Sequence, residues 1–130
     1  MEKGLKAVIA VNNLGFIGKG TGMLWRCKED LMMFKEFTLN RKLLVGYNTL
    51  QGLPKLKDRE VILDLREKLV TDVDKIDWCI GGKKTYEKYC PYFTELHISH
   101  IYNNDIGDVV FPDLSKLNQN CKIFNYNFNP

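Results

Sequence analysis

The stretch WCIGGKKTYE, residues 78–87, runs from apolar residues through two glycines into a polar segment. A short apolar run that stops at a turn signal is typical of a buried strand, and Gly81 and Gly82 supply that signal. The stretch KLLVGYNT, residues 42–49, repeats this order with the single glycine Gly46. Both stretches predict a strand, a tight turn and a helix in succession, which is typical of a parallel α/β sheet.

The rest of the chain continues this alternation of strands and helices. Apolar runs predict strands at residues 6–11, 42–46, 59–64, 76–82, 94–102 and 121–128. Helices are predicted over residues 28–39, near residue 48, and from residue 83 to Pro91. A glycine-rich loop covers residues 12–23. We therefore expect one domain, residues 1–130, with a mostly parallel sheet and an antiparallel strand added at its C-terminal end.

Composition narrows the class of protein. The chain has 130 residues, 45% of them hydrophobic, and a formal charge of +3 without a basic block, so we expect no nucleic-acid partner. The N-terminal apolar run is too short for a signal peptide or a membrane span. The cysteines, at positions 27, 79, 90 and 121, show no C-x-x-C spacing, and we interpret them as reduced thiols. These features predict a cytoplasmic protein without a membrane partner.

Two histidines have a spacing that can suggest a metal site. His97 and His100 form an H-x-x-H pair within a predicted strand. Side chains alternate faces along a strand, so residues three apart point in opposite directions. We therefore expect no metal ion to be shared by this pair, and we predict no metal site elsewhere in the chain.

One acidic residue falls on the apolar side of the first predicted helix. At 3.6 residues per turn, Asp30 shares a face with Cys27, Leu31, Phe34 and Thr38. An acid in the first turn stabilises the helix dipole, which is a purely structural role. Alternatively, a carboxylate in an apolar cleft binds a ligand that presents a planar pair of N–H donors. The pattern alone leaves both interpretations open.

The two glycine turns also have a functional and a structural interpretation. Glycine lets the backbone approach a ligand closely, and the helix start behind it offers free N–H groups. Lys83 and Lys84 would add positive charge there, so two adjacent turns suit a pyrophosphate. Either turn alone is equally well explained by reversal of the chain. Neither matches the G-x-G-x-x-G fingerprint of a Rossmann domain.

Taken in order, several segments resemble the dihydrofolate reductase family. They are AVNNLGFIGKGTGMLW, EDLMMFKEFT, VGYNT, LKDREVIL, IGGKKTYE, LHISHI and GDVVFP, the last with Asp108. The match runs from about residue 6 to residue 113. It implies the family's fold, a shortened three-layer α/β/α arrangement around a central, mostly parallel sheet. It also implies transfer of hydride from NADPH to C6 of 7,8-dihydrofolate, with these two molecules as partners.

The resemblance assigns roles to individual residues. Asp30 would bind the 2-amino and N3–H groups of the pterin and favour protonation at N5 through a water, with Trp25 and Met23 as further catalytic residues. The implied substrate-binding residues are Val8, Ile9, Asp30, Leu31, Phe34, Thr49, Arg59, Ile80, Tyr86 and Ser99. The implied cofactor-binding residues are Ala10, Ile17, Gly18, Gly46, Tyr47, Asn48, Thr49, Ile80, Gly81, Gly82, Lys83, Lys84 and Thr85. Arg59 would bind the folate α-carboxylate, which suits guanidinium geometry.

Some positions differ from the family pattern. Leu24 stands where a proline is usual, and Tyr47 stands where a basic residue contacts the 2′-phosphate. Arg66 or Lys68 is an alternative phosphate partner, so the preference for NADPH over NADH stays open. Residues 59–80 lack much of a strand-helix unit for the adenosine half of the cofactor, which predicts weaker cofactor binding. The shortened sheet should have an exposed edge, and we expect a monomer or a weak homodimer.

Three other functions have to be distinguished from an active reductase. The lost segments are compatible with a catalytically weak or inactive folate- or nucleotide-binding homologue that has a structural role. The same fold is also compatible with another pterin-like or pyrimidine substrate. A basic nucleic-acid binder is the third alternative. Retention of Asp30, Phe34 and Arg59 favours the reductase, because both ends of folate are then recognised.

Overall fold

The computed structural model describes residues 4–20 and 22–130. The strands are β1 (Leu5–Asn12), β2 (Phe16–Gly18), β3 (Lys42–Val45), β4 (Glu60–Leu63), β5 (Trp78–Cys79), β6 (Phe93–Ile101), β7 (Val109–Val110) and β8 (Lys122–Phe128). The α-helices are α1 (Lys28–Thr38), α2 (Tyr47–Gly52) and α3 (Lys83–Tyr89), with 3-10 turns at Val73–Lys75 and Cys90–Tyr92. The principal sheet has the strand order β4-β3-β5-β1-β6-β8, and β2 and β7 form a second, small antiparallel sheet.

Helices cover both faces of the principal sheet. Val8 of β1 belongs to an apolar cluster with Phe37 of α1 and Leu50 of α2. The next residue, Ile9, points to the other face and belongs to a cluster with Tyr86 of α3. The predicted three-layer α/β/α arrangement is therefore confirmed. Within the described ranges, no helix is long and apolar enough to cross a membrane.

The direction of the last strand differs from the prediction. β8 pairs with β6 in parallel, from Lys122 opposite Glu95 to Phe128 opposite Ile101. The predicted antiparallel C-terminal strand is wrong. Residues 102–121 form a connection long enough to carry the chain back to the start of β6, so β8 runs alongside it in the same direction.

The glycine-rich segment, predicted as a loop, is partly a strand. Its middle is β2, which pairs with β7 across an irregular register. The amide of Gly20 donates a hydrogen bond to Oδ1 of Asp108 at 2.8 Å. The amide of Asp108 in turn donates to the carbonyl of Gly18 at 3.2 Å. These bonds attach the segment to the chain that precedes β7, at the carboxyl end of β1.

Candidate active site

The carboxyl ends of the parallel strands lie at one edge of the sheet, which is where α/β proteins of the open-sheet class bind ligands. The turn after β3 and the turn after β5 meet there. The amide of Gly46 donates a hydrogen bond to the carbonyl of Gly81 at 2.7 Å. Helix α1 also starts at this edge, because it carries the chain back from the end of β1 to the start of β3.

The two glycine turns interlock through threonine hydroxyls. A Cβ atom on Gly46 would lie 2.5 Å from Oγ1 of Thr85, and one on Gly82 would lie 2.5 Å from Oγ1 of Thr49. The Thr85 hydroxyl of α3 therefore packs against the turn after β3, and the Thr49 hydroxyl of α2 packs against the turn after β5. Gly81 has φ of +108°, a conformation that strains other residues. Packing accounts for the glycines, and it also brings the predicted cofactor residues Thr49 and Thr85 together.

The remaining residues predicted for the cofactor surround these turns. Tyr47 and Asn48 begin α2 on the surface, and the Tyr47 side chain is 63% exposed. Lys83 is half-buried and Lys84 is exposed, both in the first turn of α3. Ile80 is buried on the sheet face that α1 covers. Of the loop residues, Ile17 packs against the core on the α3 side, and Gly18 is buried.

Asp30 is buried in the first turn of α1, with 8% of its surface exposed. Burial raises the pKa of its carboxyl group, and the hydroxyl of Ser99 exerts a smaller, opposing influence. That hydroxyl lies outside hydrogen-bonding geometry, because Oγ of Ser99 is buried without a hydrogen-bond partner among the described residues. A buried hydroxyl without a partner, next to a largely buried carboxylate, provides polar groups that a ligand would pair with.

Further predicted substrate residues lie near this acid. The hydroxyl of Tyr86 donates to the carbonyl of Val8 at 2.6 Å. Burial raises the pKa of Tyr86 well above its ordinary value, and the charges of Cys79 and Asp30 add to the effect. Ala10 lies opposite Ser99 in the pairing of β1 with β6. The structure thus brings predicted substrate and cofactor residues together at the end of β1.

The remaining predicted substrate and catalytic residues differ in how far their side chains are buried. Phe34 is half-buried against the α1-side core, but Leu31 is 49% exposed. Met23 is 59% exposed and Trp25 is half-buried, both in the segment that leads into α1. The side chain of Ile9 lies on the α3 side of the sheet, so only its backbone is available to a ligand on the α1 side.

Arg59 is held at the other end of α1. Its Nη1 donates to Oγ1 of Thr38 at 3.2 Å, and its Nε donates to the carbonyl of Lys57 at 3.0 Å. Thr38 itself donates to the carbonyl of Phe34 at 2.7 Å. At 1.5 Å per residue, Asp30 and Thr38 are separated by roughly 12 Å along the helix. A ligand that used both Asp30 and Arg59 would have to be elongated, with hydrogen-bond donors at one end and an anion at the other.

A polar cluster at the end of β4 was not predicted from the sequence. Oδ1 of Asp64 accepts hydrogen bonds from Nζ of Lys88 at 2.8 Å and from the hydroxyl of Tyr89 at 2.6 Å. The Tyr89 hydroxyl also accepts from the amide of Val70 at 3.1 Å, and Lys88 donates to the carbonyl of Lys68 at 2.7 Å. The cluster therefore attaches residues 64–70 to α3. The only sequence signal for this cluster was an acidic residue, Asp64, at the end of the strand predicted over residues 59–64.

The histidine pair points to opposite faces of β6, as predicted. His97 is buried, with Nδ1 2.8 Å from the Tyr126 hydroxyl and Nε2 2.8 Å from Oε1 of Glu95. His100 is exposed, and its Nε2 lies 2.8 Å from Oδ1 of Asn125. Each histidine thus has separate partners, and the buried one connects β6 with β8.

Fold and site together define an open-sheet α/β protein with a candidate ligand site at the strand ends. A family model described as "Dihydrofolate reductase" matches residues 4–67. Dihydrofolate reductase type 5 of Escherichia coli is 31% identical, with 88% of this chain and 83% of the relative covered. The dihydrofolate reductase of Buchnera aphidicola subsp. Schizaphis graminum is 26% identical, with 92% and 83% covered. The chain belongs to the dihydrofolate reductase family.

A solved structure gives the same result for the fold. The chain is similar to the dihydrofolate reductase from Enterococcus faecalis complexed with NADP(H) and RAB-propyl, with a TM-score of 0.76 and 26% identity. The similarity covers 88% of this chain and 80% of that chain. The resemblance found in the sequence motifs is therefore confirmed at the level of the family and the fold.

Proposed function

We propose that this protein catalyses the NADPH-dependent reduction of 7,8-dihydrofolate to tetrahydrofolate, with hydride delivered to C6. The observation that carries the proposal is Asp30, a buried acid with a raised pKa beside an unsatisfied Ser99 hydroxyl. Membership of the family supports the reaction, and the NADP(H) complex of the Enterococcus faecalis relative supports the cofactor.

Asp30 binds the pterin and assists the proton transfer in this proposal. Its two oxygens accept hydrogen bonds from the 2-amino and N3–H groups, which would compensate for the burial of the carboxylate. Ser99 lies on the same side and would gain the partner that it lacks. The raised pKa lets the carboxyl group take up a proton more readily than an exposed acid, and this favours delivery of a proton to N5 through a water.

The rest of the substrate would lie along α1. Phe34, half-buried next to Asp30, would pack on the ring system, with Leu31 nearer the opening. Arg59 is preset by its bonds to Thr38 and Lys57, so its guanidinium loses little freedom when it binds the α-carboxylate. The roughly 12 Å between the two ends of α1 suits a molecule with a ring at one end and a carboxylate at the other.

The residues at the glycine turns fit the proposed cofactor. NADPH, when bound, supplies the hydride. Gly46 and Gly82 are half-buried, and their backbone packs against the hydroxyls of Thr85 and Thr49 respectively, so a diphosphate would approach the turns where side chains are absent. Lys83 adds positive charge beside the turn, where a diphosphate would lie. The segment that contains β2 would exclude water from the reacting atoms, held by its bonds to Asp108.

We further propose that the protein works in the cytoplasm as a single domain, in the form of a monomer or weak homodimer. The four described cysteines are all free thiols, which supports a reducing compartment. The side chains of Ile123 and Phe124 on the edge strand β8 are exposed, which supports weak self-association.

A steady-state assay tests the reaction directly. The purified protein is mixed with dihydrofolate and NADPH, and the loss of NADPH absorbance is followed. Saturable turnover that requires both substrates is the expected result. Binding of both molecules in calorimetry without turnover would contradict the proposal and favour the inactive homologue. Turnover only with a different pterin or pyrimidine would change the substrate and leave the reaction type intact.

A further inference from the structure

One edge of the principal sheet is open along a long strand. β8 has seven residues and stands last in the strand order, so among the described residues no strand pairs with its outer side. Its pairing with β6 runs in regular register from Lys122 to Phe128. After Lys122 the strand contains no charged residue and no proline. Charges, prolines and bulges keep exposed edges from pairing, so β8 lacks these protections over most of its length.

The opposite edge of the same sheet is protected. β4 has four residues and includes the charged Glu60, and Asp58 and Arg59 precede it. A short, charged edge strand gives another strand little to pair with. The difference between the two edges indicates that β8 is the edge at which the sheet can be extended.

One hydrogen bond fixes the direction of the backbone groups in β8. The amide of Tyr102 donates to the carbonyl of Phe128 at 2.9 Å, so the backbone of Phe128 faces β6. In a strand, the backbone groups of successive residues point to alternate sides. The N–H and C=O groups of Ile123, Asn125 and Asn127 therefore point outwards from the sheet.

These three residues match a second copy of the same strand in one register. A two-fold axis at Asn125 makes the two strands antiparallel and places Asn125 opposite itself. It also places Ile123 opposite Asn127 of the second copy, so that all outward groups are used in about six backbone hydrogen bonds. Any other antiparallel register with matched bonds leaves Ile123 or Asn127 opposite a residue outside β8.

The same register continues an aromatic cluster on the α1 side of the sheet. Phe124 stacks on His97 with 4.5 Å between ring centroids, yet it is 38% exposed. The ring of Tyr126 also stacks with His97, at 5.8 Å. In the register centred on Asn125, Phe124 of one copy lies opposite Tyr126 of the other, at the non-hydrogen-bonded positions where side chains are closest. Aromatic pairs across strands stabilise antiparallel sheets.

We propose that β8 pairs with β8 of a second copy, antiparallel and centred on Asn125, and that this contact is the interface of a weak homodimer. The inference deepens the self-association proposed above and does not depend on catalysis. A strand of seven residues spans roughly 23 Å, so the interface falls below the roughly 1,200 Å² of stable complexes. We therefore expect a dissociation constant of about 10–100 µM.

The test places charges at position 125, which the register puts opposite its own copy. Asn125→Lys and Asn125→Asp should each dimerise about fivefold more weakly than the parent in sedimentation equilibrium at low salt, because like charges then meet. An equimolar mixture of the two should return to the dissociation constant of the parent or fall below it, because opposite charges meet. The matched controls are Gln51→Lys and Gln51→Asp, exposed on α2 beyond β3. They should leave dimerisation unchanged, whether separate or mixed.

Recovery in the mixture also shows that both variants are folded, since it requires two intact strands. A parent that stays monomeric at about 1 mM would overturn the interface and leave the edge to an extended segment of another protein. Variants that dimerise as well as the parent, or a mixture that does not recover, would overturn it too. Steady-state turnover decides separately on the proposed function: a dimer without turnover contradicts the reaction alone, and an active monomer contradicts the interface alone.

Discussion

The substitution Asp30→Asn keeps the shape of the side chain and removes its charge. Since Asp30 is only 8% exposed, solvent screens its proposed bonds to the pterin very little. The amide oxygen of the asparagine can still accept one hydrogen bond from the pterin. Its NH₂ group would face the second N–H donor of the pterin and could not bond to it. Loss of one charge-assisted bond, about 1.5–3 kcal/mol, plus an unsatisfied donor, about 1–3 kcal/mol, gives about 2.5–6 kcal/mol. We therefore expect kcat/KM to fall by about 10²–10⁴.

The same substitution should stabilise the protein in the absence of ligand. Burial raises the pKa of Asp30 above its ordinary value of 3.8. Between the ordinary and the raised pKa, the folded protein holds a proton that the unfolded chain has released, so the free energy of unfolding falls as pH rises through this window. Asparagine does not titrate. The variant should therefore be more stable than the parent at neutral pH, and the two should converge in acid.

Urea unfolding across the pH range and steady-state kinetics measure the two effects. The matched control is Glu29→Gln, which removes an exposed acid one residue earlier, on another face of the helix. NADPH binding should change by less than about threefold in both variants, because neither acid lies at the glycine turns. If Asp30→Asn kept kcat/KM within threefold of the parent, or lost stability at neutral pH, the role of Asp30 would be refuted.

Three further predictions concern the cofactor side. Gly82→Ala should lower the free energy of unfolding, since its Cβ would collide with Oγ1 of Thr49, and the second substitution Thr49→Ala should recover part of that loss; no recovery would argue against the interlocked turns. Asp64→Asn should lower the free energy of unfolding by about 1–3 kcal/mol and speed proteolysis of residues 64–70, because charge-assisted bonds to Lys88 are lost; unchanged cleavage there would contradict this role. Tyr47→Arg should improve binding of NADPH relative to NADH up to about fivefold, and equal gains for both cofactors would place the 2′-phosphate elsewhere.

Local patterns were sufficient to predict most of the elements. Apolar runs marked every strand of the principal sheet, and helical spacing placed Asp30 on the buried side of α1. The same spacing put Leu31 on that side, but it lies on the margin of the buried face and is exposed. The strand predicted over residues 76–82 is limited to Trp78–Cys79, because the chain leaves the sheet at the glycine turn.

Features that depend on distant residues were not predicted. The direction of β8 is set by the path of residues 102–121, which carries no periodic signal. The bonds of Asp64 to Lys88 and Tyr89 join residues more than twenty positions apart. Likewise, the contacts of Gly46 with Thr85 and of Gly82 with Thr49 exist only once β3 and β5 are neighbours. The sequence predicted both glycine turns as candidate ligand sites, but it did not predict that the threonine hydroxyl behind each turn packs against the glycine of the other.

The buried His97 makes the geometry of the site depend on a strand that contributes nothing to it. His97 lies edge-on to the ring of Phe37 in α1, 5.0 Å between centroids, and is bonded to Tyr126 of β8. Phe37 also stacks on Trp78 at 4.9 Å. A change in β8 would thus reach the helix that carries Asp30 through this imidazole and through the contact of Tyr126 with Phe37, 6.3 Å between ring centroids. A change at Tyr126 that lowered activity would therefore act by shifting α1, although every residue that contacts a ligand would be unchanged.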